Sequence, residues 1–241
     1  MKVFSPGQLV RGGCLLAFGA SFLNTGFLVS TGTSVSHLTG DIARIGSGLT
    51  SGLQSNSYHI ISVTLATLGF VSGAVASGYV LHHPTLEIKL PYGRILSSFG
   101  IFLIAAHFTQ PHLPLLAIAI TSAVCGAQNA MASRYRGMVL RTTHLTGLFT
   151  DFGIYLGMKM KGHHVENWKL FVPVWLTFAF LAGAVTSSTL VFRGSTHWIL
   201  LAGIAYLVGG LIWSIYKRTG NRKKLFPLYR PKKRPRRNGT L

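Results

Sequence analysis

Ser36-His37-Leu38-Thr39-Gly40 and Thr143-His144-Leu145-Thr146-Gly147 are one motif written twice, 144 − 37 = 107 residues apart. Their alignment runs ungapped to Gly46 and Gly153. A second pair follows each copy: Phe70-Val71-Ser72-Gly73-Ala74-Val75-Ala76-Ser77 and Phe180-Leu181-Ala182-Gly183-Ala184-Val185-Thr186-Ser187, at an offset of 180 − 70 = 110. Asn24 precedes the first motif much as Asn129 precedes the second. Three ordered matches at nearly constant spacing indicate a duplicated chain.

The duplicated unit is apolar. Hydrophobic residues fill 49% of the 241 positions and only 11% are charged, less than half the share of about a quarter in soluble domains. Mean hydropathy is +0.43. Such a chain lacks the polar surface of a soluble protein, and we read it as an all-α integral membrane protein. The net charge of +19 raises nucleic-acid binding, but 11 of the 23 basic residues lie between Lys217 and Arg237. The body before them is mildly basic, so no nucleic-acid partner is expected. Cys14 and Cys125 sit in separate apolar runs and read as packed side chains.

A hydrocarbon core of about 30 Å needs roughly 20 residues of helix. Six runs meet that need, at 11–31, 58–81, 93–110, 113–132, 169–192 and 197–216. The first is read as a retained helix, since a cleaved signal has a shorter apolar core. Two further segments, 37–53 and 144–160, are helical in pattern but short, polar and glycine-rich. Each is either a full span or a half-helix that enters and leaves on one side. With six spans and a cytoplasmic N-terminus, Lys89, Arg94, Arg134, Arg136 and Arg141 stay inside; full crossing by both short segments would move them outside. The positive-inside rule therefore favours six spans plus two re-entrant or half-helices, with both termini cytoplasmic. Three spans per unit is odd, so the second unit enters inverted, giving a 3+3 inverted repeat like those of secondary transporters. The boundaries are residues 1–110 for the first repeat, 111–217 for the second, and 218–241 for a basic, proline-containing cytoplasmic tail expected to be disordered.

The polar residues at the motifs are the candidate site. Ser36 and Thr143 are expected to cap the short helices. The following N–H groups carry the positive end of the helix dipole, suited to an anion. Thr39, Thr146, His37 and His144 add donors, and Gly40 and Gly147 allow a backbone to approach. Asn24, Gln128 and Asn129 either line a polar path or bond helix to helix. The competing reading of the whole set is structural, with caps serving their own helices and glycines packing them. Asp41 and Arg44, three apart, read as an ion pair on one helix face. Asp151 reads as a proton-coupling group or a partner of Arg141. No catalytic motif and no metal-ligand spacing is present, so no enzyme, cofactor or metal is expected.

At Leu16-Ala17-Phe18 through Gly26-Phe27, Ser36–Gly40, Gly126-Ala127-Gln128-Asn129, Arg141–Gly147 and Thr150-Asp151 the sequence resembles the YoaK family of bacterial membrane proteins, a domain of unknown function. The likeness covers residues 9–217 and implies a bacterial inner-membrane protein of about six spans, with no substrate assigned. This chain departs from the family pattern at Asp41, where asparagine is usual, and at His144, where an apolar residue is usual.

The expectation is a small secondary transporter or channel for a small polar or anionic solute; the alternative is a non-transporting membrane scaffold whose basic tail binds anionic lipid or a cytoplasmic partner. On either reading the partners are the lipid bilayer, anionic lipid headgroups met by the tail, and a second copy in a homodimer that encloses the pathway.

Overall fold

The computed structural model describes residues 4–50, 57–81, 90–131 and 142–225, with backbone alone for 220–225. Its described residues form eight α-helices: α1 Pro6–Thr31, α2 Leu38–Thr50, α3 Ser57–Leu81, α4 Tyr92–Thr109, α5 Pro114–Met131, α6 Leu145–Met160, α7 Asn167–Phe192 and α8 Trp198–Leu225. Five of them, α1, α3, α5, α7 and α8 to Thr219, are long and apolar enough to cross a membrane. α4 is 18 residues long and includes Arg94 and His107.

Local chemistry sets the ends. Ser5 and Gln8 form a reciprocal capping box at the start of α1, with Pro6 in the first turn, so donors that the helix leaves unpaired are satisfied. α1 stops at Gly32, whose φ of 73° puts it in the left-handed region and lets its N–H return to the Leu28 carbonyl. Glycine takes that conformation without a Cβ penalty. At the other end of the chain, α8 runs on to Leu225, past the boundary expected at residue 217. Lysine and arginine are good helix formers and favour the C-terminal end of the dipole, and the first proline beyond is Pro227.

The principal helix pairs are α3 with α5, α1 with α7, and α4 with α8. Lipid tails give apolar helices no reason to leave them, so close backbone contact through small residues must hold these pairs. Gly69 and Gly73 lie against the Ala119 and Ala123 backbone, and Gly126 against Phe70. Residue numbers rise together along this contact, so α3 and α5 run parallel. Gly13 faces Leu176, Gly183 faces the Phe18 backbone and Gly26 faces Ser187, so α1 and α7 are parallel as well. Gly93 meets Gly210 and Ser214, whereas Gly100 meets Gly203 and Leu207, so α4 and α8 are antiparallel. Trp198 at the start of α8 is buried edge-on against Phe27 of α1, with ring centroids 5.1 Å apart. The outward faces are apolar: Leu15 is 75% exposed, Val75 65% and Ile212 62%, an arrangement suited to lipid and not to water.

Candidate functional site

The site forms where the chain leaves α1 and turns back along it. Ser36 donates from both its N–H and its hydroxyl to Asn24 Oδ1, each at 3.0 Å. Asn24 lies 31 − 24 = 7 residues before the end of α1, about 10 Å at the helical rise. Within the five residues after Thr31 the chain has therefore doubled back to the depth of Asn24. Asp41, in the first turn of α2 and 3% exposed, accepts the Ser34 N–H at 2.7 Å and holds the turn closed. Arg44 lies 3.7 Å from Asp41 and donates to the Gly32 carbonyl at 3.3 Å.

The second motif is built on the same plan with different partners. Asn129 donates from Nδ2 to Thr143 Oγ1, and Thr142 Oγ1 donates to Asn129 Oδ1. Gln128 joins the halves: its Nε2 donates to the Leu16 carbonyl and to Thr142 Oγ1, both at 2.9 Å, and its Oε1 accepts from the Tyr206 hydroxyl. Gln128, Asn129, Thr142, Thr143, Asn24 and Ser36 are all buried. This polar knot thus ties α1, α5, α8 and the chain entering α6 together.

The two motif turns meet. His37 lies beside the Thr143 backbone and stacks on Phe180 of α7, with ring centroids 5.3 Å apart and 18° between planes. Its Nε2 is buried and has no hydrogen-bond partner among the described residues, and the same holds for Thr33 Oγ1 in the same turn. A buried polar atom without a partner carries a free-energy cost of about 1–3 kcal/mol, so this is the point in the knot with capacity to bind.

Several expectations need correction. Thr143 does not cap α6: the N-cap residue is His144, without a side-chain cap bond. The Ser36 hydroxyl goes to Asn24 and the Thr143 hydroxyl to Asn129, because a buried amide on the neighbouring helix competes for each. Gly40 and Gly147 make no close backbone approach, and a Cβ at either would meet open space. Thr39, His144 and Thr146 are exposed together with these glycines, so the site residues divide into a buried knot and an outer rim. Asp151 is half-buried on α6 and forms no ion pair among the described residues; Arg141 lies outside them. Sequence reasoning missed Thr33, Ser34, Thr142 and Tyr206. For Thr142 the adjoining motif was a signal; for Tyr206 the one clue was a phenol inside an aliphatic run.

A bundle of apolar helices around a closed polar knot, with two short helices starting at that knot, defines a polytopic helical membrane protein. The chain belongs to the family described as Protein of unknown function (DUF1275), whose model matches residues 12–212. That match takes in both motif turns and all their helix partners. Comparison with curated proteins and with solved structures gives no match.

Proposed function

We propose that the chain is a small secondary transporter or channel for a small polar or anionic solute, built as a 3+3 inverted repeat of six spans in a bacterial inner membrane with both termini cytoplasmic. Helix directions support the six-span reading. If all eight helices crossed, strict alternation would run α4 and α8 the same way, yet they are antiparallel. If α2 and α6 return to the side they started from, the directions of α1–α7, α3–α5 and α4–α8 all follow. The pairing is also two-fold in pattern: exchanging first-half helices for their second-half counterparts turns α3–α5 into α7–α1 and leaves α4–α8 unchanged. The motif likeness to the YoaK family supports the same location.

The observation that carries the functional reading is the meeting of the two turns at His37 and Thr143, with His37 Nε2 and Thr33 Oγ1 buried and unpartnered. Irregular backbone at membrane depth is stable where it is buried in protein or lines a path, and transporter sites lie where half-helices start near the midplane. The uncapped first turn of α6 adds positive dipole at this point. Asp41 acts as a structural carboxylate holding the first turn, and Asp151 on α6 is the candidate coupling group.

A thermal-stability screen of the purified protein against small anions, carboxylates, sugars and cations tests this reading, followed by flux of any hit into proteoliposomes. A solute at 100 times its Kd stabilises by about 2.7 kcal/mol. The expected result is a selective shift that His37→Ala and Thr33→Val abolish, with the same solute crossing the vesicle membrane. Binding without flux, or no binding across the panel, overturns it. The scaffold alternative is favoured by the continuation of α8 towards the basic segment. Removing 226–241 separates the two, since a scaffold loses its activity and a transporter keeps its flux.

A further inference from the structure

The two halves of the chain pack by one exchange rule. Take the offset of the second sequence match, 180 − 70 = 110, add it to an α4 residue and subtract it from its α8 neighbour. Gly93–Gly210 becomes Gly203–Gly100, Gly93–Ser214 becomes Gly203–Ile104 and Gly100–Leu207 becomes Gly210–Ser97, and each of these approaches is present. Residues of α1 correspond to residues of α5 through 129 − 24 = 105. Phe18–Gly183 then becomes Ala123–Gly73, also present. At the turns, the Ser36–Asn24 bond has its counterpart in the Thr143–Asn129 bond.

The ring contact at the junction breaks the rule. His37 stacks on Phe180 and lies beside the Thr143 backbone. Its counterpart is His144 on Phe70, beside the Ser36 backbone, and the repeat keeps histidine and phenylalanine at both places. In this structure His144 is exposed instead, whereas His37 is half-buried. The two stacks compete for one space. His37 fills the gap between the turns by lying against Thr143, and His144, next in the chain after Thr143, would need the same gap to reach Ser36. The turns also differ in how firmly they are held. Asp41 accepts the Ser34 N–H at 2.7 Å in the first, while the position 148 − 41 = 107 residues on is Leu148, whose side chain accepts no hydrogen bond. α6 starts at His144 without a side-chain cap bond, so the second turn is the one freer to move.

We propose that His37–Phe180 and His144–Phe70 are alternative latches of one junction, and that the chain has a second state in which His144 lies on Phe70 and His37 is released. The proposal rests on the inverted-repeat part of the function proposed above. In such a repeat the two-fold exchange carries one face of the membrane onto the other. Release of His144 therefore opens the junction towards the face from which α6 enters, and release of His37 towards the face of α2. Phe70 becomes a gating side chain, equal in role to Phe180.

Trapping with a short bifunctional thiol reagent, in membranes and without solute, tests the exchange in a background lacking Cys14 and Cys125. Phe70→Cys/His144→Cys is expected to cross-link. Adding Phe180→Ala, which removes the opposing latch, is expected to speed that cross-linking about two- to ten-fold, the contribution of one aromatic contact. His37→Cys/Phe180→Cys, the contact present in the structure, is the positive control. Cross-linking of the control alone, or a rate that Phe180→Ala leaves unchanged, would overturn the proposal. Chains carrying all four cysteines that acquire both links at once would overturn it too. A reduced melt matching that of the cysteine-free chain shows that each variant folds. With the histidines in place, Phe70→Ala is expected to slow carbethoxylation of His37, resolved by mass spectrometry, by a similar factor, and no slowing overturns the proposal by a second route. Because no solute takes part, exchange without flux would keep the latches and remove the transport reading, and flux without exchange would do the reverse.

Discussion

Gln128→Leu removes the centre of the polar knot at nearly constant volume. The native amide makes bonds to the Leu16 carbonyl, Thr142 Oγ1 and the Tyr206 hydroxyl. Side-chain hydrogen bonds between membrane helices average about 0.6 kcal/mol and reach about 1.7, so three of them contribute about 2–5 kcal/mol. Leu16 keeps its own helix as a hydrogen-bonding partner, which moves the expected loss to roughly 2–4 kcal/mol. The Tyr206 hydroxyl is then left buried and unpaired, and Tyr206→Phe alone, which strands Gln128 Oε1, is expected to cost about 1 kcal/mol. The pair therefore couples: in Gln128→Leu/Tyr206→Phe neither orphan remains, and the double variant should be less destabilised than the sum of the two by about 0.6–1.7 kcal/mol. Reversible unfolding in mixed micelles, followed by tryptophan emission or circular dichroism, measures the cycle. A coupling near zero would show that the knot is not a cooperative unit and that α1, α5 and α8 are held by backbone packing alone.

Gly73→Ala and Gly183→Ala press a methyl group against the Ala123 and Phe18 backbone, and each is expected to cost about 1–3 kcal/mol by the same unfolding assay. Gly40→Ala and Gly147→Ala meet open space and are expected to raise stability by up to about 1 kcal/mol; a loss of flux without a loss of stability in either would show that solute touches the outer rim. Asp41→Ala removes a charged acceptor from the Ser34 N–H and is expected to cost about 1.5–3 kcal/mol, against less than about 1 for Arg44→Ala, whose side chain is exposed; equal costs would make the ion pair, not the turn, the stabilising contact. Single cysteines at His112 and Ser195 in a background lacking Cys14 and Cys125 should label from the same side of the membrane with an impermeant maleimide. Labelling from opposite sides would mean that α6 crosses.

The long helices were legible because about twenty apolar residues are themselves the signal: all six expected runs overlap helices, five of them long and apolar enough to cross a membrane, with ends displaced by a few residues except at the start of α1 and the end of α8. The duplicated motif located both turns, since matching stretches at near-constant offset do not depend on knowing the partners. What each side chain does there was less legible. A serine that caps its own helix and a serine that donates to an asparagine twelve residues earlier look alike in sequence, and only the return of the chain alongside α1 decides for Asn24. Repeated glycines misled for a related reason. At 73 and 183 repetition marks touching backbones, while at 40 and 147 it marks positions with nothing opposite. Tyr206 acquires its role from a contact with Gln128 across 78 positions, which no local pattern carries.

The pairing of helices across the chain also has a consequence for synthesis. α1 finds its main partner in α7, α3 in α5 and α4 in α8, so little of the first half can dock on itself. From the end of α1 to the end of α7 is 192 − 31 = 161 residues, which at about 5–20 residues per second takes roughly 8–32 s. Through that interval Asn24 waits within the bilayer for the rest of its surroundings, and the nascent first half depends on the insertion machinery, or on a neighbouring polypeptide, to shield it. For the same reason the two halves, translated as separate polypeptides, are expected to find each other in the membrane and restore the whole, whereas either alone is a substrate for quality-control proteases.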